Sequence, residues 1–132
     1  DFCLSRGLGD VYKRQHLGLM PPEPVQHAMA VALGDDEHVA AQKELYRGRR
    51  DILRPALEAA GFRIDGSEAG LYLWATEGQD AWTSIERLAD LGILAGPGPF
   101  YGAFSNEHVR LALTAPSERI AEGARRLREQ AV

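Results

Sequence analysis

Cysteine is nearly absent: the 132 residues contain one, Cys3. A single thiol excludes an internal disulfide framework and fits a reducing, cytoplasmic compartment. Long apolar runs are missing too. None approaches the roughly 18 residues that a membrane-spanning helix needs, and the N-terminus lacks the basic start and apolar stretch of a signal peptide. Nor is there a basic excess. Fifteen Lys and Arg against 19 Asp and Glu leave a net charge of -4, which offers no electrostatic case for nucleic acid or anionic lipid as a main partner. His16, His27, His38 and His108 fall in no His-Glu-x-x-His or Cys/His pattern, so no metal site is expected. Gly96-Pro97-Gly98 lacks both the dinucleotide glycine spacing and the phosphate-loop lysine. Ser67, Ser84, Ser105 and Ser117 sit in no nucleophile elbow.

What remains, 45% hydrophobic and 26% charged residues, is the composition of one soluble globular domain. The chain is too short for two domains that each bury a good core. Residues 5–15 read SRGLGDVYKRQ, the one-frame translation of a transposase-type sequencing-library adapter, and residues 1–4 lie upstream of it. Residues 1–15 are therefore expected to be a non-native arm, to be set aside before fold reasoning. They hold three basic and two acidic residues, so residues 16–132 carry 12 against 17, a net -5, and no cysteine. Thiolate nucleophiles and thiolate metal sites drop out with Cys3. Residues 16–132 begin without an initiator methionine and read as the truncated C-terminal portion of a longer protein.

The expected elements follow from periodicity. Residues 16–24, with Pro21, Pro22 and Pro24, read as extended. A short helix spans Val25 to Leu33, with Val25, Met29 and Ala32 on one face, and Gly34 ends it. Asp35 or Asp36 caps a long helix from about Glu37 to Ala60, whose apolar stripe is Val39, Tyr46, Leu53, Leu57 and Ala60. Gly61 stops that helix, and Pro55 should bend it. Phe62–Asp65 alternates like a strand, 66–70 is a turn, and the apolar run Leu71–Ala75 suits a buried strand. Asp80 caps a helix over Ala81–Asp90, with Trp82, Ile85, Leu88 and Ala89 inward. Gly92 stops it, Ile93–Ala95 is a short strand, and Gly96–Asn106 is a shaped loop. Val109–Leu113 is another strand, and a last helix runs from about Pro116 to Gln130 with Ile120, Ala124 and Leu127 on its core side. This order gives an α/β fold of α+β two-layer type, with helices packed on a small mixed or antiparallel sheet.

Arg110 carries the chemistry. Alternation puts Val109, Leu111 and Leu113 on one face of their strand and Arg110, Ala112 and Thr114 on the other. An arginine flanked on its own face by small residues has room for a planar anion, and guanidinium geometry matches a carboxylate in a two-point grip. The bland alternative is an arginine on a solvent face or paired to a structural carboxylate. The preceding Gly/Pro/aromatic loop supplies a candidate pocket wall in Pro97, Gly98 and Phe100.

The segments in order are Pro24-Val25-Gln26, Tyr46-Arg47-Gly48-Arg49-Arg50-Asp51, Leu57-Glu58-Ala59-Ala60-Gly61-Phe62, Ala69-Gly70-Leu71-Tyr72-Leu73-Trp74, Ala95 to Gly102, and Val109 to Thr114. In this order and spacing, the region from about His16 to Leu127 closely resembles the C-terminal small domain of fold-type I, pyridoxal-phosphate-dependent aminotransferases of class I/II. The resemblance implies an aminotransferase small-domain fold, with Gly70–Trp74 as a central strand. It implies that Arg110 grips the substrate's α-carboxylate, that Pro97, Gly98 and Phe100 shape the substrate entrance, and that residues 24–26 leave the large domain near the cofactor end of a homodimer. The implied substrates are small molecules, an amino acid and a 2-oxo acid. Within the class, residues 61–76 and 108–114 look most like succinyldiaminopimelate aminotransferases of lysine biosynthesis.

One departure limits what this chain does alone. The family's chemistry needs a lysine to hold pyridoxal 5'-phosphate and an acid facing the pyridine nitrogen. Only Lys13 and Lys43 are present, and Lys43 reads as a helix-surface residue. No residue here is expected to be catalytic, to bind the cofactor covalently or to ligate metal, so the fragment alone is expected to be inactive. The alternatives are another enzyme of the same cofactor and fold (a cyclase, lyase or decarboxylase) or a stand-alone small binding domain.

Overall fold

The structure is a computed structural model that describes residues 12, 13, 15–18 and 21–130. Most of the adapter-like arm therefore lies outside the described residues; of it, Tyr12, Lys13 and Gln15 are helical. The chain divides between Val39 and Ala40 into two units.

In the first unit His16 is helical and Leu17-Gly18 is a turn, so among the described residues the extended reading of 16–24 survives at Pro21 and Pro22, while Leu19 and Met20 lie outside them. Helix α1 spans Glu23–Leu33, starting two residues before the expected Val25. Pro24 lies in its first turn, where a missing N–H leaves no intrahelical bond unmade. Gly34 caps its end as expected. No residue of α1 is buried; the predicted face of Val25, Met29 and Ala32 is exposed. Helix α2 spans Asp36–Ala59. Asp35 starts it, its carboxylate accepting from the Glu37 N–H at 2.9 Å, a cap that satisfies one of the free first-turn donors.

The second unit holds the core. There α2 continues through Pro55 to the expected stop. Gly61 has φ 95°, the Phe62 N–H donates to the Leu57 carbonyl at 3.0 Å, and the Gly61 N–H to that of Glu58 at 3.1 Å. This is the glycine-terminated helix end in which the residue after glycine packs back on the last turn; Phe62 and Leu57 are both buried. Of the predicted stripe, Leu53, Leu57 and Ala60 are buried and Tyr46 is half-buried, whereas Val39 is exposed.

The sheet has four strands, β1 Arg63–Ile64, β2 Tyr72–Thr76, β3 Gly96–Pro97 and β4 His108–Ala112. They lie in the order β1-β2-β4-β3, and every pairing is antiparallel. Helix α3 (Ala81–Asp90) follows β2, and helix α4 (Ser117–Gln130) closes the chain. The core joins Leu53, Ala56 and Leu57 of α2 to Leu73 and Ala75 of β2, to Val109 and Leu111 of β4 with Leu113, and to Ile120, Ala124 and Leu127 of α4. All three predicted core residues of the last helix are thus in place. Each fully buried leucine contributes about 1.5–3 kcal/mol.

Three expectations need correction. The strand predicted at Ile93–Ala95 forms instead at Gly96–Pro97. The reason lies in how α3 ends: the Gly92 N–H donates to the Ala89 carbonyl and the Ile93 N–H to that of Leu88, each at 2.8 Å. That holds Ile93 against the helix end, and strand pairing begins only further on. Second, Asp80 caps α3 as predicted, accepting from the Trp82 N–H at 2.9 Å, but the inward residues are Ala81, Ser84 and Leu88. Trp82 and Ala89 each sit one position off that 3–4 spacing and are exposed. Third, Leu71–Ala75 is not buried throughout. Leu71 and Tyr72 are exposed and Trp74 is half-buried, because one sheet face is uncovered there.

Leu127→Ala should lower unfolding free energy by about 2–5 kcal/mol, whereas Val31→Ala on α1 should stay within about 0.5 kcal/mol. Urea unfolding followed by circular dichroism measures both, and equal losses would overturn this division of the core.

Candidate functional site

The uncovered face of the sheet carries the predicted site. On β4, Val109 and Leu111 are buried while Arg110 between them is half-buried and Ala112 is exposed, the alternation expected of a strand with one covered face. In register, Arg110 stands opposite Trp74 of β2 and opposite Gly96 of β3. Rings approach it from both flanks of β4. Its guanidinium carbon lies 4.1 Å from the Tyr72 ring centre and 4.5 Å from that of Tyr101. Each such contact is worth about 0.5–2 kcal/mol, depending on how dry it is. Among the described residues no carboxylate pairs with Arg110, and no oxygen accepts a hydrogen bond from it. The structural-pair alternative therefore has no partner among them.

The loop before β4 delivers Tyr101. Pro97 is buried and pairs with Val109 in β3, an edge position that tolerates the missing donor. Residues Gly98–Tyr101 form a 3₁₀ turn. Gly98 is pressed onto backbone: a Cβ there would stand 2.0 Å from the Ser105 carbonyl oxygen and 2.5 Å from that of His108. The Phe100 ring lies 5.8 Å from that of Trp82, and the residue is 72% exposed. The ring beside Arg110 is that of Tyr101, which also meets Trp74 edge-on at 5.8 Å. Residue patterning had not singled out Tyr72 and Tyr101. Tyr72 shares strand parity with Trp74, a signal available from alternation, but the placement of Tyr101 depends on the 3₁₀ turn and could not be read from spacing.

Behind Trp74 lies a polar brace. His108 stacks on the indole at 5.2 Å and 10° between planes, and its Nε2 donates to the Asp65 carboxylate at 3.1 Å. Arg63 grips the same carboxylate with two bonds of 2.9 Å. The hydrogen bonds from Arg63 and then His108 hold the Asp65 carboxyl down at about 2. The other ring nitrogen of His108 is buried and has no hydrogen-bond partner among the described residues. Ser67 ties the turn to the strand, accepting from the Trp74 N–H at 2.9 Å and donating to the Asp65 carbonyl at 3.1 Å.

The other chemistry-bearing residues do not join this site. Lys43 is exposed on α2. His38 pairs with Asp35 at 3.3 Å, and among the described residues no three His, Cys, Asp or Glu side chains gather as a metal site would require. A groove of about 520 Å³ runs beside α4, lined by Leu53, Ile93, Leu94, Ala115, Ile120 and Gly123 among others, and Arg110 does not line it.

Two predictions follow from this geometry. Because the Asp65 carboxyl is lowered from its ordinary 3.8, its stabilisation is fully present above that value and is lost as pH falls through about 2. Asp65→Asn should remove that part of the acid dependence. Carbon-detected NMR titration of the wild-type carboxyl checks it, and a midpoint near 3.8 would contradict the brace. Gly98→Ala should displace the 3₁₀ turn, lowering protection of the amides over residues 98–108 in hydrogen exchange. Unchanged protection would mean that the loop can accept a Cβ.

The family model described as "Aminotransferase class I and II" matches residues 8–127. The chain is 54% identical over 114 residues to the 4-dedimethylamino-4-oxo-anhydrotetracycline transaminase OxyQ of Streptomyces rimosus, covering 86% of this chain and 32% of that protein. It is 33% identical over 126 residues to the LL-diaminopimelate aminotransferase of Gloeobacter violaceus, covering 92% and 32%. Among solved structures, the probable N-succinyldiaminopimelate aminotransferase of Thermus thermophilus superposes with a TM-score of 0.63 at 32% identity, over 74% of this chain and 27% of that one. The chain spans about a third of the length of the curated relatives it matches. A family model matched over nearly the whole chain, with strongly similar transaminase relatives, means that this chain belongs to the class I and II aminotransferases.

Proposed function

We propose that this chain is the C-terminal part of a pyridoxal-phosphate-dependent transaminase and that Arg110 holds the α-carboxylate of the amino acid and of the 2-oxo acid in turn. The observation that carries the reading is the state of the Arg110 guanidinium: half-buried on the open sheet face, ringed by aromatics, its N–H donors unused by any described residue. A carboxylate can take two of those donors side by side. Fixing it there restricts the reacting carbon to few orientations, which is how a remote grip lowers a barrier.

We assign no residue of this chain to holding the cofactor. Its two lysines, Lys13 and Lys43, are exposed. In this reading the cofactor's lysine and its acidic partner belong to chain outside these 132 residues, residues 1–15 are adapter-derived, and the assembled enzyme is a cytoplasmic homodimer. For the amino donor we propose N-succinyl-L,L-2,6-diaminopimelate, with 2-oxoglutarate as acceptor, as in lysine biosynthesis. The Thermus relative's name supports that choice, while the OxyQ and LL-diaminopimelate names mark the two donor classes to test beside it.

The test is the longer enzyme recovered from the source gene, assayed for both half-reactions with each donor. Arg110→Ala should lower kcat/KM in both by about 100-fold or more. Loss in one half-reaction alone would overturn the shared-carboxylate role. Turnover of the other donors but not the succinylated one would overturn the donor assignment.

A further inference from the structure

An arginine that must receive a ligand faces a conflict. Left free on a surface, its long side chain samples many rotamers, and ordering it on binding costs affinity. Held by carboxylates or carbonyls, it loses the donors the ligand needs. Arg110 avoids both. The contacts that confine it are made by Tyr72 and Tyr101, and attraction between a cation and a ring consumes no N–H. The two rings come from opposite neighbours of β4: Tyr72 from β2, two residues along from Trp74 on the same face, and Tyr101 from the 3₁₀ turn beyond β3.

Gly96 makes room for this arrangement. It is Arg110's register partner on β3, and a Cβ there would lie 3.0 Å from the Tyr101 hydroxyl and 3.8 Å from the Arg110 Nε. Its φ is not in the left-handed region, so glycine is needed here for space and not for backbone conformation. To admit a methyl group the tyrosine must give by a few tenths of an ångström, which shifts its ring relative to the guanidinium.

We infer that Tyr72 and Tyr101 are positioning residues, holding the Arg110 guanidinium in place from the two flanks of β4 with its hydrogen-bond donors left for a carboxylate, and that Gly96 preserves the seat of Tyr101. The inference rests on the carboxylate role of Arg110.

The 132-residue chain, labelled with nitrogen-15, is titrated with 2-oxoglutarate while the Arg110 Nε–H resonance is followed. In the wild type that resonance should be displaced by the ring currents of both tyrosines and should shift further with ligand. Tyr72→Phe and Tyr101→Phe keep a ring and should bind within about twofold of wild type, whereas Tyr72→Leu and Tyr101→Leu should each bind about threefold to tenfold more weakly and lose part of the displacement. Gly96→Ala should change the Arg110 Nε–H displacement in the same direction as Tyr101→Leu but by less, because the ring is kept and only shifted. Both tyrosines are partly exposed, at 40% and 46%, so these variants keep the core intact. If Arg110→Gln abolishes binding but the leucine variants bind as tightly as wild type, the positioning role is overturned and the carboxylate role stands. If Arg110→Gln binds as well as wild type, the carboxylate role falls and takes the positioning role with it.

Discussion

The register between β2 and β4 is the constraint on which the rest depends. Leu73 faces Leu111 and Ala75 faces Val109 on the covered side, which places Trp74 against Arg110 on the open side. Strand side chains alternate with a period of two, so slipping β4 by a single residue would bury the guanidinium and expose Val109 and Leu111. Burying an unpaired guanidinium costs several kcal/mol, and exposing that valine and leucine costs about 3–6 kcal/mol more. The position of Arg110 is thus fixed by the hydrophobic residues on either side of it, and the binding face inherits its accuracy from the core.

Backbone geometry does the rest of the placement. The helix ends at Gly61 and Gly92 both return the chain toward the sheet through hydrogen bonds to the preceding turn. The Ala81 N–H at the start of α3 donates to the Asn106 carbonyl at 2.8 Å, which ties the loop after β3 to a helix. A second anchor is the half-buried pair of Arg87 and Glu77, supported by Ser84 donating to Glu77 at 2.9 Å and by Arg87 donating to the Ala60 carbonyl at 2.8 Å. Together they join the ends of α2, β2 and α3.

Much of this was legible from residue order. Caps at Asp35 and Asp80, stops at Gly34, Gly61 and Gly92, the inward stripe of α4 and the outward setting of Arg110 all follow from short-range rules, and all are present. The misses share a cause. Ile93 has strand chemistry, but its amide is taken by the end of α3. Trp82 has core chemistry but falls one position off the inward spacing, and Phe100 rather than the core is its neighbour. Val25, Met29 and Val39 are periodic and apolar, yet none is buried. Periodicity reports that a face could be covered, and only tertiary contacts decide whether it is. The two tyrosines beside Arg110 were hidden for the same reason, since their shared neighbour is set by strand pairing and a turn across nearly thirty residues of sequence.

The stacking of His108 on Trp74 also gives the molecule a built-in optical probe. The chain has two tryptophans. Trp82 stands on the rim beside Phe100, whereas Trp74 touches His108 on one side and the edge of Tyr101 on another. An imidazole packed flat on an indole quenches its emission to a degree set by their separation. Any shift of Tyr101 or His108 when the open face is occupied therefore changes the brightness of Trp74.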